Sequence, residues 1–431
     1  MLDYLYKRIS NIPEKNLLLT VFAIFCVSLL ALSSAASGTF LIKQVVFFFV
    51  AVILVTFAYR LFDLSFFQNY ATVIYFLNIG LLIVLKFAGT SVLGSQRWLK
   101  LGPLSIQPSE IAKICLIIYL AAWLAKHPIR NYWDIFKTLL LVAVPAMLVL
   151  IQPDLGTTLV YIAICFGMLF WAGAKIMELF IMISPLITAI LSSIGFKLFE
   201  YHYGPVAFVI TVPFVIFIVI LLIITINYYQ AWRSPMASSA IFGLLSCNLI
   251  VMLFKSIAWG FLKDYQQKRL TIFLDPYVDP LGAGYHIIQS LYAVGSGGLF
   301  GQGLMHGDLT QGNFVPEQHT DFIFSTIGEE FGFIGSTLVV ILYGILCTKI
   351  IYSAKTADDK FKSLVAIGTF SMLFFHIFVN IGMNLGIMPI TGVPLPFFSY
   401  GGSSLVVDLF LVSLVVKASQ SSKNSNNYRY N

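Results

Sequence analysis

PSEIAKICLIIYLAAWLAK at 108–126, HPIRNYWDIFK at 127–137, TLLLVAVPAMLVLIQPD at 138–154 and LGTTLVYIAICFGMLFWAG at 155–173 decide the architecture. Three apolar runs follow one another here. A basic stretch (Lys126, Arg130, Lys137) separates the first two, and a short Gln-Pro-Asp turn separates the next two. Each run approaches the ~20 residues a helix needs to cross the hydrocarbon core of a bilayer. Basic loops collect on the cytoplasmic side, so the first separator reads as inside and the acidic turn as outside. The chain weaves through a membrane, and Gln107, Glu110, Lys113 and Asp154 all fall at the outer ends of these runs.

The rest of the chain repeats the pattern. Apolar windows occur at about 16–36, 41–59, 70–89, 108–125, 136–152, 154–173, 179–195, 205–226, 238–258, 321–348, 362–388 and 396–417. The expected fold is an all-α, polytopic transmembrane helix bundle of about 12 spans, forming one domain over 1–417. Residues 418–431 are Ser/Asn-rich and read as a disordered cytoplasmic tail. Composition agrees, with 59% of the 431 residues hydrophobic, 10% charged and a mean hydropathy of +0.89. A soluble domain carries about 25% charged residues, so a soluble protein is excluded. The net charge of +7 belongs to topology and gives no reason to expect nucleic acid. Lys7, Arg8 and Lys15 precede a first run too long for a secretory signal, which reads as a retained helix. With twelve spans, sixteen Lys and Arg from Lys7 to Arg429 fall on one side. Seven fall on the other (Lys43, Arg97, Lys100, Lys197, Lys263, Lys268 and Arg269), which puts both termini in the cytoplasm. The five cysteines all lie in apolar runs, form no CxxC pair and read as small buried hydrophobes.

Costly polar residues crowd toward the outer side: Arg97, Gln107, Glu110, Lys113, Asp154, Asp275, Asp279, His319 and Asp321. An ionisable group at membrane depth faces a partner or a wet cavity, and one outward-opening cavity accounts for most of these together. Glu110 and Lys113 are three apart on one helix face, either as a structural ion pair or as a polar wall for a cation or phosphate. Asp154 opens a helix, where an N-cap alone would justify it. The long outer loop at about 260–320 contains DPYVDPLGAGYHIIQS (275–290), in which Asp275 and Asp279 each precede a proline. Proline keeps them on a constrained loop. They are either turn formers or, for a carboxylate of raised pKa, a general base. GSGGLFGQG (295–303) lacks a phosphate-loop ending and reads as a tightly packed or re-entrant loop. His319 and Asp321 would need more ligands to hold a metal. PITGVPLPFFSYGGSS (389–404), which includes Ser403, implies a broken entry to the last helix. Glu329 and Glu330 lie deeper than the rest, and Asp408, inside the last helix, has no physical account in the sequence.

QRWLKLG (96–102), QPSEIAK (107–113), QPDLGT (152–157), DPLGAGYHIIQS, GSGGL, HTDFIF (319–324) and VPLPFFSYGGSS, in that order, resemble the SEDS family, the RodA/FtsW/SpoVE group. The DPLGAGYHIIQS run looks most like the RodA branch, which serves elongation and shape. The resemblance implies a peptidoglycan glycosyltransferase of the bacterial cytoplasmic membrane, active on its outer face, that polymerises lipid II beside a class B penicillin-binding protein. It assigns the essential outer-loop aspartate to Asp279. The functional pair of the QPSEIAK helix falls on Glu110 and Lys113, and the QPDLGT aspartate on Asp154. Asp279 is then the base of an inverting displacement that releases undecaprenyl pyrophosphate. Arg97, Lys113 or a divalent cation (Mg or Mn, near Glu110) would stabilise that leaving group, and Asp275, His319, Asp321, Gln107 and Ser403 would support the site. Relatives have about ten spans, so an extra helix pair is expected within 179–258. Two rivals stand beside this reading: a transporter or lipid II flippase, and a non-catalytic scaffold of the transpeptidase.

Overall fold

The structure, a computed structural model, describes residues 15–36, 38–88, 90–92, 95–101, 104–176, 178–179, 264–282 and 284–427. These fall into two compact units, residues 1–173 with 286–431, and residues 174–285. In the first unit come α1 (Lys15–Ala35), α2 (Gly38–Leu61), α3 (Leu64–Ala88), α4 (Pro108–Lys126), α5 (Tyr132–Ile151) and α6 (Leu155–Trp171). The second unit holds α7 (Asp264–Leu274) and a 3₁₀ turn (Pro276–Val278). Then follow α8 (Tyr285–Ser296), α9 (Asp308–Gln311), α10 (Ile323–Thr356), α11 (Lys360–Asn384) and α12 (Gly402–Asn427).

Among the described residues, eight helices are long and apolar enough to cross a membrane, and α6 is a shorter apolar helix of 17 residues. Nine expected windows therefore coincide with helices. Those at 179–195, 205–226 and 238–258, with the extra pair, lie outside the described residues. Local chemistry sets the ends. Pro108 occupies the first turn of α4, where its missing N–H costs nothing. Asn131 and Asp134 form a reciprocal capping box at α5, and Asp154 caps α6.

Three features depart from the expected pattern. Between α3 and α4, β1 (Thr90–Val92), β2 (Ser95–Leu101) and β3 (Leu104–Ile106) make a small antiparallel meander, Thr90 pairing with Trp98 and Leu99 with Ile106. The chain is mostly helical rather than all-α because this Ser- and Thr-rich interval is too short for a span and uses period-two pairing instead. The loop at 260–320 contains α7, α8 and α9. Finally, α12 continues to Asn427, into the Ser/Asn-rich stretch, as propagation of an existing helix costs far less than nucleation.

Within the first unit α11 is the hub, packing on α4, α6, α10 and α12. Its face is buried, as is most of α4. By contrast, α2 buries only Gln44 and Ala51, and its exposed Phe49, Ile53 and Phe57 suit lipid contact. α10 breaks at Gly332 (φ 64°, ψ −160°). There the glycine-dense loop stitches the break: Gln302 and Gly303 donate to the carbonyls of Glu329 and Glu330, while Phe333 and Ile334 donate to those of Gly298 and Leu299. Irregular backbone at membrane depth needs this kind of internal satisfaction. GSGGLFGQG is thus a tightly packed loop.

Candidate active site

α4 carries the centre of the first unit's polar interior. Lys113 is 1% exposed, and its Nζ donates to Glu110 Oε1 at 2.6 Å and meets His376 Nε2 at 3.2 Å. Glu110 is 5% exposed, and its second oxygen, Oε2, has no hydrogen-bond partner. His376 Nδ1 lies 3.2 Å from the carbonyl of Pro394, in the turn before α12. Asp408, also buried, accepts the backbone N–H of Phe397 and lies within electrostatic range of Lys113 and Glu110. Phe397 has φ 61°, a strained value for a side-chain-bearing residue, so Asp408 helps hold that turn. Tyr343 does the same from α10, its hydroxyl donating to Pro396 O at 2.7 Å.

The neighbouring motifs close around this centre. Asp154 caps α6 through Thr157 N–H (3.2 Å) and hydroxyl (3.0 Å), and Gln107 Nε2 reaches its Oδ2 at 3.3 Å. The helix-cap role and the junction with the QPSEIAK helix are thus both realised. Gly156 packs against the next motif, because a Cβ there would sit 2.6 Å from Thr391 O. Asn380 and Asn384 both donate to the Asp321 carbonyl at 3.0 Å, and Asn380 also to Val393 O at 2.9 Å. The Asp321 carboxylate approaches Gly392, with Oδ2 3.5 Å from where its Cβ would be. The His319 ring lies tilted against Phe40 and Tyr400, and its carbonyl accepts Tyr400 N–H at 2.9 Å. Ser399 donates to Thr320 O, while Ser28 and Gln44 donate to Phe398 O and Ser399 O. Ser403 lies in the first turn of α12. QPSEIAK, QPDLGT, HTDFIF and the turn before α12 therefore meet in one polar interior.

Glu329 and Glu330, the deep pair, are held by the 305–310 segment and, for Glu330, also by α1. Glu329 accepts from Leu309 N (2.7 Å), Thr310 N (2.9 Å) and Thr310 Oγ1 (2.5 Å). Glu330 accepts from Ser34 Oγ and from Met305 N at 3.1 Å.

In the second unit the two loop aspartates differ. Asp275 Oδ1 accepts Tyr277 N–H at 3.0 Å and caps the 3₁₀ turn. Asp279 ends that turn, and its carbonyl accepts the N–H groups of Gly282 and Gly284. A Cβ on Gly282 would lie 2.3 Å from Asp279 Oδ2, so only glycine leaves the carboxylate where it is. Arg97 occupies β2.

His376, Asn380 and Asn384 were not singled out from the sequence. The signal was present: they recur every four residues in an apolar helix and so share one face. Among the described residues no three His, Cys, Asp or Glu side chains converge as metal ligands, and Lys113 already occupies Glu110 Oε1. The Glu110 cluster does not fit a resident divalent ion.

Fold and site together define a polytopic membrane protein with a buried charged centre walled by glycine- and proline-rich turns. The chain belongs to the RodA/FtsW/SpoVE family: that family's model, described as cell cycle protein, matches residues 12–206 and 209–424. Peptidoglycan glycosyltransferase RodA of Treponema pallidum is 35% identical over 429 residues, covering 95% of this chain and 98% of that protein. Peptidoglycan glycosyltransferase MrdB of Escherichia coli K12 is 35% identical over 345 residues, 79% of this chain and 75% of that protein. A solved chain from a peptidoglycan synthase complex, described as coordinating polymerization and crosslinking, superposes with a TM-score of 0.69. It is 29% identical, and the match covers 94% of this chain and 97% of that one.

Proposed function

We propose that this chain is a peptidoglycan glycosyltransferase that polymerises lipid II at the outer face of the bacterial cytoplasmic membrane, serving elongation and shape. The observation that carries the reading is the buried Glu110–Lys113–His376 centre, walled by the motif turns, in a chain whose relatives are named for this activity. A cation held among apolar helices is worth most to an anion that develops beside it, as the departing pyrophosphate does. The basic-residue asymmetry supports cytoplasmic termini.

In the proposed reaction Asp279 takes the proton of the acceptor's 4-hydroxyl, and that oxygen attacks the anomeric carbon of the lipid-linked chain. The bond to undecaprenyl pyrophosphate breaks, and the centre inverts. Asp279 is favoured over Asp275 because the resemblance places the family's essential loop aspartate there, whereas the Asp275 carboxylate caps the 3₁₀ turn. Lys113, with Arg97, supplies positive charge for the leaving group, while Gln107 and Asp154 brace the QPSEIAK helix. Mg or Mn would accompany the pyrophosphate, where it would neutralise negative charge, rather than reside in the Glu110 cluster. A class B penicillin-binding protein is the proposed partner, in keeping with the synthase complex to which the chain is similar. Glu329 and Glu330, whose depth would suit a transporter, are held by the 305–310 segment, which favours the glycosyltransferase reading.

Purified chain in liposomes with labelled lipid II decides between the readings. Glycan polymer on a gel without lipid transfer between leaflets is the expected result. Leaflet transfer without polymer would establish the transporter instead.

A further inference from the structure

We propose that His376 is a positioning residue: a neutral imidazole, protonated on Nδ1, whose Nε2 lone pair holds the Lys113 ammonium and couples it to the Pro394 turn. The proposal rests on the reading of Lys113 as a leaving-group cation.

The tautomer follows from the partners. A carbonyl oxygen can only accept, so Nδ1, 3.2 Å from Pro394 O, must carry a proton. An ammonium can only donate, so Nε2, 3.2 Å from Lys113 Nζ, must carry none. The ring is 1% exposed, so neither contact exchanges freely with water. A second proton on Nε2 would bring two cations face to face in the interior. Imidazole is one of few side chains able to donate at one end and accept at the other across this gap.

The consequence is geometric. Of the three ammonium protons, one goes to Glu110 Oε1 and one to His376 Nε2. The third is directed by the other two, and an oxygen of a pyrophosphate is the acceptor chemistry it suits. Glu110 alone, three residues away on the same helix, would leave the long lysine side chain free to swing about one contact. His376 supplies the second fixed point from α11 and ties it to the turn that Asp408 holds at Phe397. Lys113 is thereby kept in register with the entry to α12.

Two measurements test this on the full-length protein. The first is ¹⁵N-histidine solid-state NMR in lipid near neutral pH. One of the six histidines should show the neutral Nδ1–H tautomer, with an Nε2 signal that moves in Lys113→Ala. A doubly protonated ring, an Nε2–H tautomer at His376, or no response to Lys113→Ala overturns the proposal. This readout does not depend on activity, so it stands apart from failure of the glycosyltransferase reading. The second is kinetic. His376→Leu should lower kcat about 10- to 100-fold with little change in KM, the cost of a misplaced catalytic group. His376→Gln, which can accept and donate at the same places, should recover most of the loss. In a Lys113→Ala background His376→Leu should cost about 2-fold or less, because the two act as a unit. Equal losses for Leu and Gln in well-folded protein, or full multiplicative loss in that background, would show that His376 acts independently of Lys113. If His376→Leu does not fold, the Gln variant and the NMR tautomer decide.

Discussion

Replacing Lys113 with Met separates the structural and chemical roles of the buried pair. Lys113 is 1% exposed and Glu110 5% exposed, and their charged atoms are 2.6 Å apart. Removing one member of a buried pair leaves the other charge uncompensated, at a cost of about 3–5 kcal/mol. Glu110 is poorly placed to absorb that loss, because its Oε2 has no partner even in the intact site. Replacing both as Glu110→Gln with Lys113→Met removes the stranded charge. What remains is mainly the His376 Nε2 acceptor without its donor, about 1–3 kcal/mol. The double variant should therefore be the more stable of the two by roughly 2 kcal/mol. Equilibrium unfolding in mixed micelles, followed by circular dichroism, measures the difference. Polymerisation of lipid II should fall steeply in both, leaving a low residual rate, so regained stability without regained activity is the expected pattern. A single variant costing less than about 1 kcal/mol, or a double variant no more stable than the single, would show that Glu110 and Lys113 do not compensate each other's buried charge.

Gly282→Ala should abolish most polymerisation, by about 100-fold, with little change in melting, because its Cβ displaces the Asp279 carboxylate. Paired activity and thermal-unfolding curves check this. Gly332→Ala should destabilise by at least about 1–3 kcal/mol, since φ is +64° there and a Cβ would lie 2.4 Å from Gly301 N. Unfolding in mixed micelles reads it. Glu329→Ala strands the Leu309 and Thr310 N–H groups and should release the 303–312 segment, seen as faster limited proteolysis there, whereas Glu329→Gln should release it less.

What the sequence revealed was governed by the range of the interaction. Windows such as 108–125 and 362–388 were legible because bilayer length and apolarity are properties of single segments. The Glu110–Lys113 pair and the Asp154 cap were legible because both act within one helical turn. His376 went unnoticed although its spacing to Asn380 and Asn384 was visible, for its partner Lys113 is 263 residues away and Pro394 meets it only once the turn after α11 folds back. Asp408 found its explanation only in the strained Phe397 it holds. The break at Gly332 looked like ordinary helix because the loop that stitches it, 298–303, had to be docked first.

Whether a loop carboxylate of this chain drives glycan polymerisation can be read most directly from gel-resolved product of purified protein and lipid II. Wild type, Asp275→Asn and Asp279→Asn should be run side by side, with folding verified by circular dichroism. Wild type and Asp275→Asn should give polymer, and Asp279→Asn none. Polymer from folded Asp279→Asn would contradict the role of Asp279 as the base.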